Sequence, residues 1–448
     1  MDVTDLRSFI RALEDASELK RVRRQVDARL ELAAVVRASE LSDGPALLFE
    51  DVKGSKIPVV SGLLSNVERA AIALGVGEED LLPRISGAVE APMKPKVVED
   101  GPVRENIHKN GIDLLKMFPI PIHAEKDAGP YISAGVVVSK NPETGRMNLS
   151  YNRMQVKGPK RLGFKISKWR DIGDFFEEKE KVNQALEIAI CIGVDPVIEM
   201  AAATKVPFDE YELASSLRGS PAELVGCETV DLKVPASAEV VIEGRILPKV
   251  REKESPFAEY LGYYSTIQES PVVEVTAVTH RDKPIFRTIV GASMEHVLLG
   301  NILTREPLLY KFVKHAVPTV KGVRLTPQSG GYHAIISIEQ RNEGEARNAI
   351  LAALTSHVNI KHVIVVDDDV NVNNMKDVEW AIASRFQGDR DLIVIPGARG
   401  IASDPSSKNG VSAKVGIDAT KPLDAPLGAF ERVKWPTENI NLKDYLAD

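Results

Sequence analysis

Two runs in the middle of the chain, Glu239-Val-Val-Ile-Glu243 and Val272-Val-Glu-Val-Thr-Ala-Val278, decide the fold. Both are short and rich in β-branched residues, as half-buried strands are. Working outward, Glu187-Ile-Ala-Ile-Cys-Ile192 and Ala134-Gly-Val-Val-Val-Ser139 have the same character, and Gly, Pro and Asn lie close to most of these runs. From about residue 118 to 290 the text therefore predicts a β-barrel or sandwich, interrupted by one helix over 209–217. Upstream, residues 1 to about 105 alternate helical patterns with short strands such as Ala46-Leu-Leu-Phe49 and Ile57-Pro-Val-Val60, which predicts a small α/β unit. Residues 91–105 mix Pro with charge and read as a crossing linker. Beyond about residue 300 helices and strands alternate again. Helices are expected over 344–357 and 377–386, with strands at Lys361-His-Val-Ile-Val-Val366 and Asp391-Leu-Ile-Val-Ile395, an α/β layer on a parallel sheet.

At 448 residues the chain exceeds one ordinary core. Its net charge of −7 and the lack of a long basic stripe argue against a nucleic-acid partner. Leu6, Phe9, Ile10 and Leu13 fall at helical spacing among charges, so the N-terminal stretch predicts an amphipathic helix rather than a signal peptide. No window reaches the 18 or so apolar residues of a membrane span. The only cysteines, Cys191 and Cys227, form no metal-ligand spacing and fit the reducing cytoplasm as buried fillers.

The dinucleotide, P-loop, zincin, CxxC and nucleophile-elbow motifs are all missing. Three stretches remain. Glu254-Ser-Pro-Phe-Ala-Glu259 places two carboxylates five residues apart around a proline, where a loop can aim both into one cleft and like-charge proximity would raise one pKa. Asn148-Leu-Ser-Tyr-Asn-Arg153 ends on an arginine which, pointing inward, would need a carboxylate. Lys414 follows a Ser/Gly/Asn-rich loop over 403–412 and could hold a phosphate. Spacing alone leaves the plainer alternatives open: a solvated turn, an edge-strand arginine and an ordinary surface lysine.

Taken in order, these stretches resemble the UbiD family of flavin-dependent decarboxylases. The likeness also includes Pro119-Ile-Pro-Ile-His-Ala-Glu-Lys-Asp-Ala-Gly-Pro-Tyr-Ile132, Glu210-Tyr-Glu-Leu-Ala-Ser-Ser-Leu-Arg-Gly219, Val234-Pro-Ala-Ser-Ala-Glu239, Gly262-Tyr-Tyr264 and Val366-Asp-Asp-Asp-Val370. The resemblance implies an α/β fold with a central split β-barrel like that of flavin reductases. Its parts would be an N-terminal α/β domain (1–105), the barrel (106–295) and a C-terminal α/β domain (296–448) that makes a homodimer or larger assembly.

The resemblance further implies reversible, redox-neutral decarboxylation of an aromatic, heteroaromatic or α,β-unsaturated acid on prenylated FMN, a cofactor supplied by a flavin prenyltransferase. Glu254 would orient Arg153, Arg153 would meet the substrate carboxylate, and Glu259 would donate the proton. Cofactor contacts fall to Asn148, Tyr151, Arg153, Lys168, the strand Glu199-Met-Ala-Ala-Ala203 (Ala202 and Ala203) with Thr204, Glu210 and Lys414. Asn148 and Glu210 would bind Mn²⁺ or Mg²⁺, with K⁺ as a further ion. The family's third metal ligand is a histidine; here Trp169 stands in its place, leaving water, another group or Lys168 to complete the site. Substrate contacts are expected from Gly291-Ala-Ser-Met-Glu-His-Val-Leu-Leu-Gly300. His296 and Arg305, as two cations, suggest a substrate with a second anion: furan-2,5-dicarboxylate giving 2-furoate, or anhydromevalonate phosphate. A flavin-binding protein without catalysis and an ordinary FMN oxidoreductase are the competing readings.

Overall fold

The computed structural model describes residues 3–166, 170–401, 403–433, 440–441 and 444–446. The N-terminal helix is Leu6–Asp15; the Asp5 carboxylate accepts the Ser8 N–H, and Leu6, Phe9, Ile10 and Leu13 point into the core. Behind it lies a four-stranded sheet in the order Leu19–Val22, Ala46–Phe49, Val59–Ser61 and Phe286–Arg287. Its last strand comes from some 225 residues downstream of its neighbour, so this unit closes only once the middle of the chain is in place.

The middle of the chain builds a nine-stranded sheet. Its spine is one long antiparallel hairpin, Val240–Glu254 against Gln268–His280, which takes in all of the second deciding run and all but Glu239 of the first. The ladder shifts register at Glu243/Gly244, where a Cβ on Gly244 would lie 2.6 Å from the Glu274 carbonyl oxygen. The outermost strands of the described ladder, Tyr131–Ile132 and Met147–Tyr151, do not pair with each other, so the hydrogen-bonded sheet is open. Residues 91–105 are more than a linker. Lys96–Val97 pairs in parallel with Glu223–Gly226 in a small third sheet, because its backbone groups need partners as it crosses the surface. Residues 199–203, expected as a strand, belong to the helix Pro196–Ala203, started by Asp195, whose side chain accepts the Val197 N–H. A run of alanines after a capping aspartate and an N1 proline favours helix over strand. The expected helix around 209–217 is present as Glu210–Arg218.

The C-terminal sheet orders Val320–Leu325, His333–Ile338, His362–Asp367, Val411–Ala419 and Leu392–Arg399. The expected parallel sheet holds for the three inner strands; the two outer ones run antiparallel, joined by short connections instead of crossover helices. Helices Glu345–Ser356 and Met375–Arg385 flank it. No helix among the described residues is long and apolar enough to cross a membrane. Cys191 is buried and Cys227 half-buried; both are free.

Candidate active site

Arg153 sits in the gap between strands Met147–Tyr151 and Met154–Gly158, and Glu254 closes the long strand Val240–Glu254. The chain then turns through a tight loop in which Glu259 N–H bonds the Tyr263 carbonyl at 2.9 Å and Ser265 N–H bonds that of Phe257 at 2.9 Å. The loop returns Glu259 to the arginine. Arg153 Nε and Nη2 donate to the two Glu254 oxygens at 2.9 and 3.0 Å, and its Nη1 donates to Glu259 Oε1. Nη2 also reaches Ser255 Oγ at 2.7 Å and Ser265 Oγ at 3.1 Å, and the guanidinium lies over the Phe257 ring. Glu254 is sealed, whereas the Glu259 side chain stays 17% exposed, toward the cavity.

Spacing alone read the two carboxylates as like charges in one cleft; a cation stands between them, and Glu254 pairs with Arg153 as the resemblance implies. Burial pushes the Glu254 carboxyl up, but the hydrogen bonds and charge of Arg153, helped by Ser255 and Tyr131, hold it below its ordinary value. Glu254 is an anion that fixes the fork of Arg153.

These groups open on a cavity of about 170 Å³. Of the expected site residues, Tyr151, Arg153, Ala203, Glu259 and His296 line it. The Ala203 carbonyl is already taken by Thr304 Oγ1, at 3.2 Å; Ala202 is buried beside it, and the Thr204 hydroxyl is spent on the Met200 carbonyl. His296 lies against Tyr260, with ring centroids 4.1 Å apart and the planes tilted by 37°. Its Nδ1 accepts the Ala292 N–H, and burial, then Arg153 and His123, push its pKa down to about 3. The expected second cation is thus a neutral imidazole, able to donate from Nε2.

Arg305 is not among the cavity-lining side chains. It is half-buried, desolvation pushes its pKa down to about 10, and its Nη1 has no hydrogen-bond partner among the described residues. It belongs to a basic cluster: burial, then the charges of Arg305, Lys414, Arg170 and Lys205, push His357 to about 3. Lys414 is buried in that cluster, its Nζ donating to the Leu354 carbonyl at 2.8 Å.

Asn148 and Glu210 meet as the sequence suggested, with Asn148 Nδ2 donating to Glu210 Oε1 at 3.3 Å and Leu149 N–H to Oε2 at 2.9 Å. Burial pushes the Glu210 carboxyl up to about 8, and Asn148 Oδ1 is buried with no donor facing it among the described residues. An orphaned amide oxygen beside a carboxylate that has no cationic partner among the described residues fits a hard divalent ion. Among the described residues no cluster of three or more His, Cys, Asp or Glu side chains completes such a site. Lys168 and Trp169 lie outside the described residues.

Three domain models of one family match the chain in order. They are the 3-octaprenyl-4-hydroxybenzoate carboxy-lyase N-terminal domain over residues 10–89, its Rift-related domain over 96–294 and its C-terminal domain over 298–419. The chain belongs to the UbiD family. It is a UbiD-type decarboxylase, a carboxy-lyase.

Among similar UbiD proteins, the anhydromevalonate phosphate decarboxylase of Methanothermobacter thermautotrophicus is 39% identical over 417 residues, covering 91% of this chain and 95% of the relative. The UbiD-class enzyme HmfF from Pelotomaculum thermopropionicum, solved in complex with FMN, is 49% identical with a TM-score of 0.94, covering 99% of this chain and all of that one. An evolved dimeric form of that enzyme, in complex with prFMN, is 46% identical with a TM-score of 0.91 over the same shares.

Residue patterns alone did not find every group at this cavity. Ser255 and Ser265 brace Arg153, Phe257 lies under it, and Lys165 and Arg170 line the same cavity. The serines are common loop residues with no periodic signal. Lys165 carried a signal only in being one residue past a strand that pairs with the run after Arg153.

Proposed function

We propose that this chain decarboxylates an aromatic, heteroaromatic or α,β-unsaturated acid on prenylated FMN, furan-2,5-dicarboxylate to 2-furoate being the preferred reaction. The observation that carries the reading is a guanidinium fixed by one sealed carboxylate and presented, beside a second and accessible one, to a cavity of ligand-binding character.

The named residues then have definite work. Arg153, with its planar fork locked by Glu254, Ser255 and Ser265, receives the carboxylate and orients the acid. Glu259 is the one carboxyl of the pair with an open side, and it delivers the proton to the carbon that lost carbon dioxide. His296, neutral, donates from Nε2 to an oxygen of the substrate, and Phe257 and Tyr260 exclude water. Loss of carbon dioxide from an sp² carbon leaves electrons that no side chain can absorb; the flavin supplies that sink when bound. Tyr151, Arg153 and the 202–204 segment would hold its ring. The basic cluster of Lys414, Arg170 and Arg305 suits its phosphate, joined by Asn148, Glu210 and Mn²⁺ or Mg²⁺, with K⁺ nearby. Lys168 would complete that shell.

We read the open nine-stranded sheet as the core of a split barrel within a three-part chain divided near residues 105 and 295. Two unpaired cysteines fit the reducing cytoplasm; there the chain would work as a homodimer or larger homo-oligomer supplied by a flavin prenyltransferase. A second substrate, anhydromevalonate phosphate, is favoured by the names of the curated relatives. Both acids carry a second anion, and Arg170 lines the cavity to meet one. The test is carbon dioxide release by protein co-expressed with the prenyltransferase, offered furandicarboxylate, furoate, benzoates, acrylates and anhydromevalonate phosphate. Furandicarboxylate should be turned over fastest; failure of every acid would overturn the reading.

A further inference from the structure

The three groups around Arg153 do not by themselves favour an anionic substrate. Glu254 already offsets the charge of Arg153, so a carboxylate entering the cavity beside Glu259 finds no net positive charge on these three groups. A further cation is needed on the same wall, and only some of the cavity's basic groups are free to serve. Arg170, which donates from Nη1 to the Tyr151 carbonyl at 2.9 Å, is assigned above to the substrate's second anion, and His296 is neutral.

Lys165 is different. It follows the strand Arg161–Phe164, and its N–H bonds the Arg153 carbonyl one step past the pair Phe164↔Met154. Arg153 and Lys165 thus stand opposite one another on neighbouring antiparallel strands. Side chains at such positions leave the sheet on the same face with their Cβ atoms about 5 Å apart, and like charges there are destabilising. Both line the cavity. Lys165 is half-buried, and its ammonium makes no hydrogen bond or ion pair among the described residues, although Arg153, Glu254 and Glu259 act on it through space. Burial, then the charge of Arg153, lower its pKa, so the lysine sits at some cost in a place a neutral residue could fill.

We infer that Lys165 is a substrate-binding residue: with Arg153 it brackets the carboxylate that leaves as carbon dioxide. This rests on the proposed function only in taking a carboxylic acid as the occupant of the cavity. The lysine adds the positive charge that the Arg153–Glu254 pair lacks before the acid enters. On departure of neutral carbon dioxide the bracket loses its anion, which weakens retention of the product at that point.

The test is calorimetric binding at pH 7 to FMN-loaded protein, which needs no turnover. The probes are 2-furoate and its uncharged analogue 2-furamide, titrated into the wild type, Lys165→Met and Lys165→Arg. The wild type should prefer the carboxylate. Lys165→Met should weaken furoate binding about 10- to 100-fold, as loss of a charge-assisted contact does, and leave the amide within about threefold. Lys165→Arg should retain most of the preference. Unchanged furoate affinity in Lys165→Met, an equal loss for both probes, or a wild type indifferent to charge would each overturn the inference. Wild-type protein that prefers furoate but releases no carbon dioxide from any acid would leave Lys165 in place and overturn the proposed function instead.

Discussion

Arg153 and Arg287 each sit between two glutamates, and of this pair only Arg153 lines the cavity described above. Arg287 is bonded by Glu199 at 3.1 and 3.2 Å and by Glu295 at 2.5 and 3.1 Å, with all three side chains at most 2% exposed. Glu295 is further held by the N–H groups of Gly62 and Leu64, at 2.8 and 2.7 Å. That trio ties the N-terminal sheet to the helix Met294–Val297, which carries His296. Around Arg153 the partners are similar, but one carboxylate has an open side. Identical chemistry thus serves cohesion where it is sealed and is available for proton transfer where it is not. The difference is access, not residue type.

Changing one group in each trio would separate these roles. In the cavity trio, Glu259→Gln should lower turnover by about 10²- to 10⁴-fold, the usual worth of a positioned proton donor, with flavin content and melting temperature close to wild type. Full retained activity would remove Glu259 as the acid.

In the sealed trio, Arg287→Met should cost about 3–5 kcal/mol, because two buried carboxylates lose their counter-charge. The loss should depend on pH. Burial already raises the Glu199 carboxyl despite Arg287, and without the arginine the fold would hold protons that the unfolded chain releases above about pH 4.3. Stability of the variant should then fall, relative to wild type, as pH rises from 5 to 8. Melting curves showing the same gap at both pH values would refute that assignment.

A smaller effect sharpens the contrast from the cofactor side. Lys414→Ala should raise the dissociation constant for FMN about 10- to 100-fold, as removal of a cationic phosphate partner does. The residual loaded enzyme should keep most of its activity per flavin; unchanged flavin content after dialysis would count against a phosphate role.

How much of this was legible beforehand differs by residue. Glu254 and Glu259 stand five apart in one loop, so a linear text can pair them, and the run from Asn148 to Arg153 is marked by its resemblance. The residues that surround them are not so marked. Ser265 and Lys165 meet Arg153 through a returning loop and a neighbouring strand, contacts of 112 residues and of cross-strand register respectively. His296 was legible as a site residue but not as a neutral one, since its state depends on the Ala292 N–H and on burial.

Composition, periodicity and ordered motifs were enough to determine the alternation of α/β and β-rich segments, the N-terminal amphipathic helix and the family, because those properties are local or cumulative along the chain. Tertiary structure alone decided which glutamate keeps an open side, that the downstream strand Phe286–Arg287 completes the N-terminal sheet, and that 199–203 is helical. Each of these depends on what desolvates or pairs a group from elsewhere in the chain, and desolvation and pairing are properties of the packed molecule.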